Sequence, residues 1–239
     1  MRINELFQIR YNNTLNPALW DGEQLKKEVS AKLIQISSAF VDFIDVPELV
    51  IEDIVITGSN ANYNWTEQSD VDLHLIVDIS DFRSRCPELA DDFFNDKKTL
   101  WNDQHDIEIY DQPVEVYVQP NDQPHVASGQ YSVSKSRWIV FPEYKPPQID
   151  DAAVAAKVEQ YKYEIDHIVG VRAGQDEVER MKFRLGRMRR SGLANAGEFS
   201  TENLTFKTLR NAGYINKLYD YGKFLLNKKF SLDRDLVEK

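Results

Sequence analysis

The chain has 239 residues, with 29 Lys and Arg against 39 Asp and Glu, so its formal net charge of −10 is the wrong sign for a generic coat on nucleic acid or an anionic membrane. A hydrophobic content of 42% with 11% aromatic residues excludes a disordered chain, and no apolar run reaches the roughly 18 residues that a spanning helix needs. A single cysteine, Cys86, excludes an intrachain disulfide and a multi-cysteine zinc site, and the polar opening residues lack the apolar core of a secretory signal, so a cytoplasmic setting is expected.

Helical spacing of Leu25, Val29, Leu33, Ile36 and Phe40 predicts a helix over 24–43, closed before Pro47. A β-branched run then predicts a strand over 49–57, ending in the turn Gly58-Ser59 and a polar loop over 60–69. From Asp70 to Val77 the period is two, which places Val71, Leu73, Leu75 and Val77 on one face and Asp70, Asp72, His74 and Ile76 on the other. A crossover helix is expected over 87–102. A hairpin follows, with strands over 106–110 and 114–119 and a turn at Asp111-Gln112-Pro113; it sends Val114, Val116 and Val118 inward and leaves Glu115, Tyr117 and Gln119 on the opposite face. A second, shorter hairpin is expected over 129–141.

Pro142 and the pair Pro146-Pro147 mark a boundary, beyond which the period turns helical over 150–170, 177–193 and 202–226. The fold class is therefore α+β: a small mixed sheet flanked by helices over 1–147, then an all-helical domain over 148–239. No internal repeat or low-complexity segment interrupts either part.

Chemistry concentrates at three places. Gly58 lets the backbone approach phosphate oxygens closely, and Ser59 adds a hydroxyl and an N–H donor beside it. Asp70 and Asp72 are same-face neighbours, close enough to share Mg²⁺ or Mn²⁺ through oxygen ligands. Two such ions hold a triphosphate and activate an attacking hydroxyl, and sites of this kind usually take a third carboxylate. Glu115 is the best placed, and Glu108 is its rival at the same alternation phase in the preceding strand.

In order, spacing and element type, Gly58-Ser59, Ser69-Asp70-Val71-Asp72-Leu73 and Val114-Glu115-Val116 resemble the nucleotidyltransferase superfamily that includes DNA polymerase beta. The resemblance covers about residues 50–120, and the cast of the whole chain is similar to uncharacterised phage and environmental members of that superfamily. It implies that Gly58 and Ser59 bind the nucleoside triphosphate, that Asp70 and Asp72 ligate the metal ions, and that Glu115 completes the site beside the attacking group. The implied reaction moves a nucleoside monophosphate, ATP being one donor, to a hydroxyl of a small molecule, protein or RNA, with release of pyrophosphate. Generic DNA binding and a membrane partner are not expected. A nucleotide-binding protein without turnover, and a phosphate-ester hydrolase using the same metals, are the rival readings.

Other residues have a functional and a plainer reading. His74 continues the face of the two aspartates as an added ligand or as an ordinary polar residue. His105, His125 and His167 have no partner spacing, and Cys86 reads as an inert thiol. Six cations crowd into 180–190, where Met181, Leu185 and Met188 form a stripe expected to pack on the sheet domain. Arg180, Arg184 and Arg187 form a ridge that faces either solvent or a polyanion. Tyr131, Trp138, Phe141 and Tyr144 serve as core or as base-stacking surfaces, and Trp65 is the lid candidate.

Overall fold

The computed structural model describes residues 11–47, 49–123 and 127–232, which leaves the opening segment and His125 outside the described residues. These residues fall into two compact units that divide between Pro146 and Pro147. The first is mixed α and β and the second is helical, so the fold class is α+β. Among the described residues, no helix is long and apolar enough to cross a membrane.

The first unit opens with a two-stranded hairpin, β1 (Trp20–Asp21) and β2 (Gln24–Leu25), which takes the start of the segment expected to be helical. Lys26 is extended and ties back through its Nζ to the carbonyls of Pro17 and Ala18, so helix α1 begins only at Lys27 and runs Lys27–Ile44. Next come β3 (Ile51–Thr57), a 3₁₀ turn (Ser59–Ala61) and β4 (Val71–Val77). The crossover contains two helices rather than one, α2 (Ser80–Arg85) and α3 (Ala90–Gln104). Helix α2 buries no residue, so it leaves no apolar periodicity to find.

Strands β5 (Glu108–Ile109) and β6 (Gln112–Pro120) meet at a turn earlier than expected. Tyr110 and Asp111 hold φ of 50° and 62°, the left-handed pair that matches strand twist, and Gln112 already belongs to β6. Pro113 then sits opposite Glu108, between the hydrogen-bonded pairs of the ladder, where its missing N–H costs β5 nothing. The last hairpin is β7 (Gln130–Ser132) and β8 (Arg137–Val140).

Six strands form one sheet in the order β5-β6-β4-β3-β7-β8, with β4 and β6 parallel and the other neighbours antiparallel. The parallel pair is why the chain needs the long α2–α3 crossover. Val71, Leu73, Leu75, Val114 and Val116 face a core shared with Leu33 and Phe40 of α1 and Phe94 and Trp101 of α3. Burying that face fixes the register, and the acidic residues of β4 and β6 are turned to the other side as a consequence.

The second unit contains α4 (Asp151–Gly170), α5 (Gln175–Ala196), α6 (Thr201–Asn211) and α7 (Tyr214–Phe230). The helix expected over 202–226 is two helices, because Gly213 takes φ 76° and ends the α6 run. Asp150 caps α4 and Ser200 caps α6 with side-chain oxygens. Val178, Met181 and Leu185 are buried on α5, which packs against α4, α6 and α7 within this unit.

Candidate active site

The site begins where β3 gives way to the 3₁₀ turn. Gly58 has φ 72°, and a Cβ built there would lie 1.8 Å from Asp72 Oδ2, far inside carbon–oxygen contact distance. Glycine is thus required twice, once for the backbone conformation and once for the approach of the carboxylate. Ser59 Oγ donates to Ser69 Oγ at 2.8 Å, and the Thr66 amide donates to that same Ser69 oxygen at 2.9 Å, so both ends of the 60–69 loop are stitched together.

Asn60 carries more of this turn than its neighbours do. It is fully buried; its amide nitrogen reaches the carbonyls of Ser69 (3.2 Å) and Asp70 (2.9 Å) and Gln112 Oε1 (3.1 Å), while its Oδ1 accepts from Asn16 Nδ2 at 2.8 Å. Gln112 in turn donates to the Glu67 carbonyl at 3.0 Å, and the Trp20 indole donates to the Asn60 carbonyl at 2.8 Å. A buried amide network of this kind locks the start of β4 to the start of β6. Polar residues in a loop have no period, so Asn16, Asn60 and Gln112 leave no mark in a pattern analysis.

Register then assembles the acidic row. Asp72 pairs with Thr57 on one side and with Glu115 on the parallel side, and Asp70 precedes it by two residues. Neighbouring strands are about 4.8 Å apart, so Asp72 and Glu115 are lateral neighbours on one face. Behind them lies a second row, His74 beside Tyr117, and behind that Gln119. The Tyr117 hydroxyl donates to Glu115 Oε2, its ring stacks on His74 at 4.8 Å, and Lys98 of α3 sits 4.1 Å over the ring centre. His74 Nδ1 donates to Gln119 Oε1 at 2.8 Å, since an amide oxygen only accepts. Burial, followed by the Glu115 hydrogen bond and the charges of Asp72, Glu115 and Asp70, pushes the Tyr117 phenol far above its ordinary range. It therefore stays a donor, within the electrostatic reach of all three carboxylates.

Among the described residues, no group of three or more His, Cys, Asp or Glu side chains converges as a ready metal cage. Asp72 lies against Gly58 and Glu115 is turned toward Tyr117, so these two carboxylates face different partners. In donor chemistry the set fits a hard divalent cation, all oxygen and all anionic. Asp70 and Asp72 are the residues that would hold the ion, with Glu115 joining from β6.

The remaining sequence candidates separate clearly. Glu108 is exposed on edge strand β5, on the Glu115 face but with Pro113 of β6 between it and β4. Trp65 is half-buried and pinned, its indole donating to the Thr14 carbonyl and its own carbonyl accepting from Asn12. Tyr131 and Trp138 pack around Trp20 in the core, whereas Phe141 and Tyr144 are exposed, and Tyr144 donates to Asn13. Cys86 is exposed, and His105 packs on Trp101. In the helical unit, His167 lies alongside Tyr163, Arg180 pairs with Glu177 and Arg184 with Glu164.

No family model matches the chain, and no curated protein or solved structure matches it.

Proposed function

We propose that the chain is a metal-dependent nucleotidyltransferase that moves a nucleoside monophosphate from a triphosphate to an acceptor hydroxyl and releases pyrophosphate. The observation that carries this reading is the approach of Gly58 to Asp72, in register with Glu115, on one face of the parallel β4–β6 pair. A phosphate chain is received by backbone N–H groups beside its counter-ion site, and the Gly58–Ser59 turn lies directly against the Asp72 carboxylate, which supports the reading. The exposed single thiol suits a reducing cytoplasm, and the acceptor is a small molecule, a protein or an RNA end rather than bulk DNA.

Asp70 and Asp72 would hold Mg²⁺ or Mn²⁺, which supplies neutralisation of the triphosphate and activation of the acceptor hydroxyl. Gly58 and Ser59 receive the phosphate oxygens through backbone N–H groups, and the Ser59 hydroxyl joins them by turning from Ser69. Glu115 takes the acceptor's proton on Oε1 while Tyr117 holds Oε2. The acceptor oxygen forms its bond to the α-phosphorus as the bond to the bridging oxygen breaks, and the electron pair leaves with pyrophosphate.

The turning of Glu115 toward Tyr117 favours a second reading, a nucleotide-binding protein that does not turn over. One experiment separates the two: α-labelled ATP, GTP, CTP and UTP with Mg²⁺ or Mn²⁺ are offered with protein, RNA and small-molecule fractions of a cell extract. Transfer of label by the wild type and not by Asp70→Asn/Asp72→Asn is expected. Equal label with both proteins removes the assignment, metal-dependent binding without product supports the binding protein, and free nucleoside monophosphate identifies a hydrolase.

A further inference from the structure

The basic run of α5 contributes to a groove that the proposed transferase site does not use. It encloses about 620 Å³ between α4, α5 and the start of α6, within the size range of small-molecule pockets. Three cations line it, Lys157, Arg184 and Arg187, against one carboxylate, Glu202, in a chain that is otherwise acidic. Two of the cations are already engaged: Lys157 pairs with Glu202, and Arg184 with Glu164 at 2.7 Å. Arg187 has no ion-pair partner among the described residues, so an anion entering the groove meets an uncompensated guanidinium and displaces nothing to reach it.

The walls are aromatic. Arg184 lies over the Tyr161 ring, 5.5 Å from its centre, which holds that ring as one side of the groove. Phe183 lines it too, with 62% of its surface exposed and its ring open to a ligand. One and two turns beyond Arg187 on the same helix face, Asn195 Nδ2 donates to Ser191 Oγ at 3.2 Å, which leaves the Ser191 hydroxyl hydrogen directed to another partner. A single guanidinium, a flat apolar surface and a hydroxyl donor within one small cavity match one ligand chemistry: a phosphate monoester attached to a planar ring.

We propose that this groove is a second ligand site, for a nucleoside monophosphate, and that it works without metal. Arg187 and the Ser191 hydroxyl one turn further along α5 take the phosphate, and Phe183 and Tyr161 take the planar ring. A polynucleotide is a poorer fit, because the basic groups end in one concavity instead of following a stripe, and the net charge opposes it.

The test is calorimetric titration of the full chain in EDTA with AMP, GMP, CMP and UMP, alongside adenosine, inorganic phosphate and a single-stranded RNA oligomer. EDTA silences any metal-dependent triphosphate site, so the outcome is independent of the transferase reading. At least one monophosphate is expected to bind, with an affinity about tenfold lower in Arg187→Gln and in Phe183→Ala, the size of loss that one charged or one stacking contact carries. Binding is expected to be unchanged in Asp70→Asn/Asp72→Asn. Both groove side chains reach the surface, and circular dichroism checks that the variants fold. The proposal is overturned by no monophosphate binding, by equal binding of adenosine or phosphate alone, by binding only of the RNA oligomer, or by binding that survives both groove substitutions.

Discussion

Gly58 shows how much one missing methyl group decides. Alanine there must adopt φ 72° and ψ −158°, a region held almost only by glycine, at a cost of about 1–3 kcal/mol, and it must move the Asp72 carboxylate, whose Oδ2 lies 1.8 Å from the new carbon. The core behind β4 is untouched, so Gly58→Ala is expected to fold and yet to lose activity as severely as Asp72→Asn, on the order of 10²-fold or more. Folded protein with unaltered transfer would show that Asp72 has no part in the reaction. The third acid is tested at the same scale. Glu115 is the lateral neighbour of Asp72 and Glu108 is separated from β4 by a strand, so Glu115→Gln should lower the rate by about 10²-fold or more and Glu108→Gln should leave it within about twofold, since exposed edge charges contribute little. The reverse ranking would move the site toward the sheet edge.

At the scale of elements, close approach again rests on glycine, this time between helices. A Cβ on Gly192 of α5 would meet Ser200 Oγ at 2.5 Å, Glu202 Cβ at 2.6 Å and the Asn203 amide at 3.2 Å, so α6 would have to part from α5. Gly186, two turns earlier on α5, has only the mobile end of Arg190 at 3.5 Å. Gly186→Ala should therefore stabilise the chain by up to about 1 kcal/mol through helix propensity, and Gly192→Ala should destabilise it by roughly 1–3 kcal/mol through overpacking. Urea unfolding followed by far-UV circular dichroism checks the pair, and equal effects would refute this account of the α5–α6 contact. Elements were legible from sequence where burial writes a period: the two-residue alternation of 70–77 and 114–119 points to β4 and β6 and to the face that Asp72 and Glu115 share. Where burial writes none, the pattern falls silent. Exposed α2, the β1–β2 hairpin and the Tyr110–Asp111 turn depend on local backbone geometry. The parallel pairing that sets Glu115 beside Asp72, and the Asn16–Asn60–Gln112 amides that clamp the turn, depend on tertiary contacts that no single stretch of chain contains.

For the whole molecule, acid brings two opposing effects. With a charge of −10 and a sequence pI near 5.0, protonation of exposed carboxylates between pH 7 and 5 relieves self-repulsion and favours the folded state. Other carboxylates oppose this because the fold needs them ionised. Burial pushes Asp53 up, but Lys135 at 2.8 Å, Ser134, Ser132 and the Ile54 amide outweigh it and hold the carboxyl below its ordinary range. Glu164 is likewise pushed up by burial and more strongly lowered by Arg184 and Gln160, and Glu202 is lowered first by Lys157. A carboxyl whose folded value lies below its unfolded one stabilises fully above the unfolded value, near pH 4, and loses that contribution as the pH falls through the folded value. The melting temperature should thus hold or rise slightly from pH 7 to 5 and drop below about pH 4. All four tryptophans lie in the sheet unit with Asp53, so their fluorescence reports the unfolding of that unit. Lys135→Gln removes the only cation paired with Asp53 among the described residues. Because Lys135 is half exposed, the loss near neutral pH should be limited to roughly 1–2 kcal/mol. With the Asp53 carboxyl less strongly lowered, less stability remains to be lost in acid, so the gap between variant and wild type should narrow as the pH falls toward 3. A gap that stays constant from pH 7 to pH 3 would mean that Lys135 acts through packing rather than through the charge on Asp53.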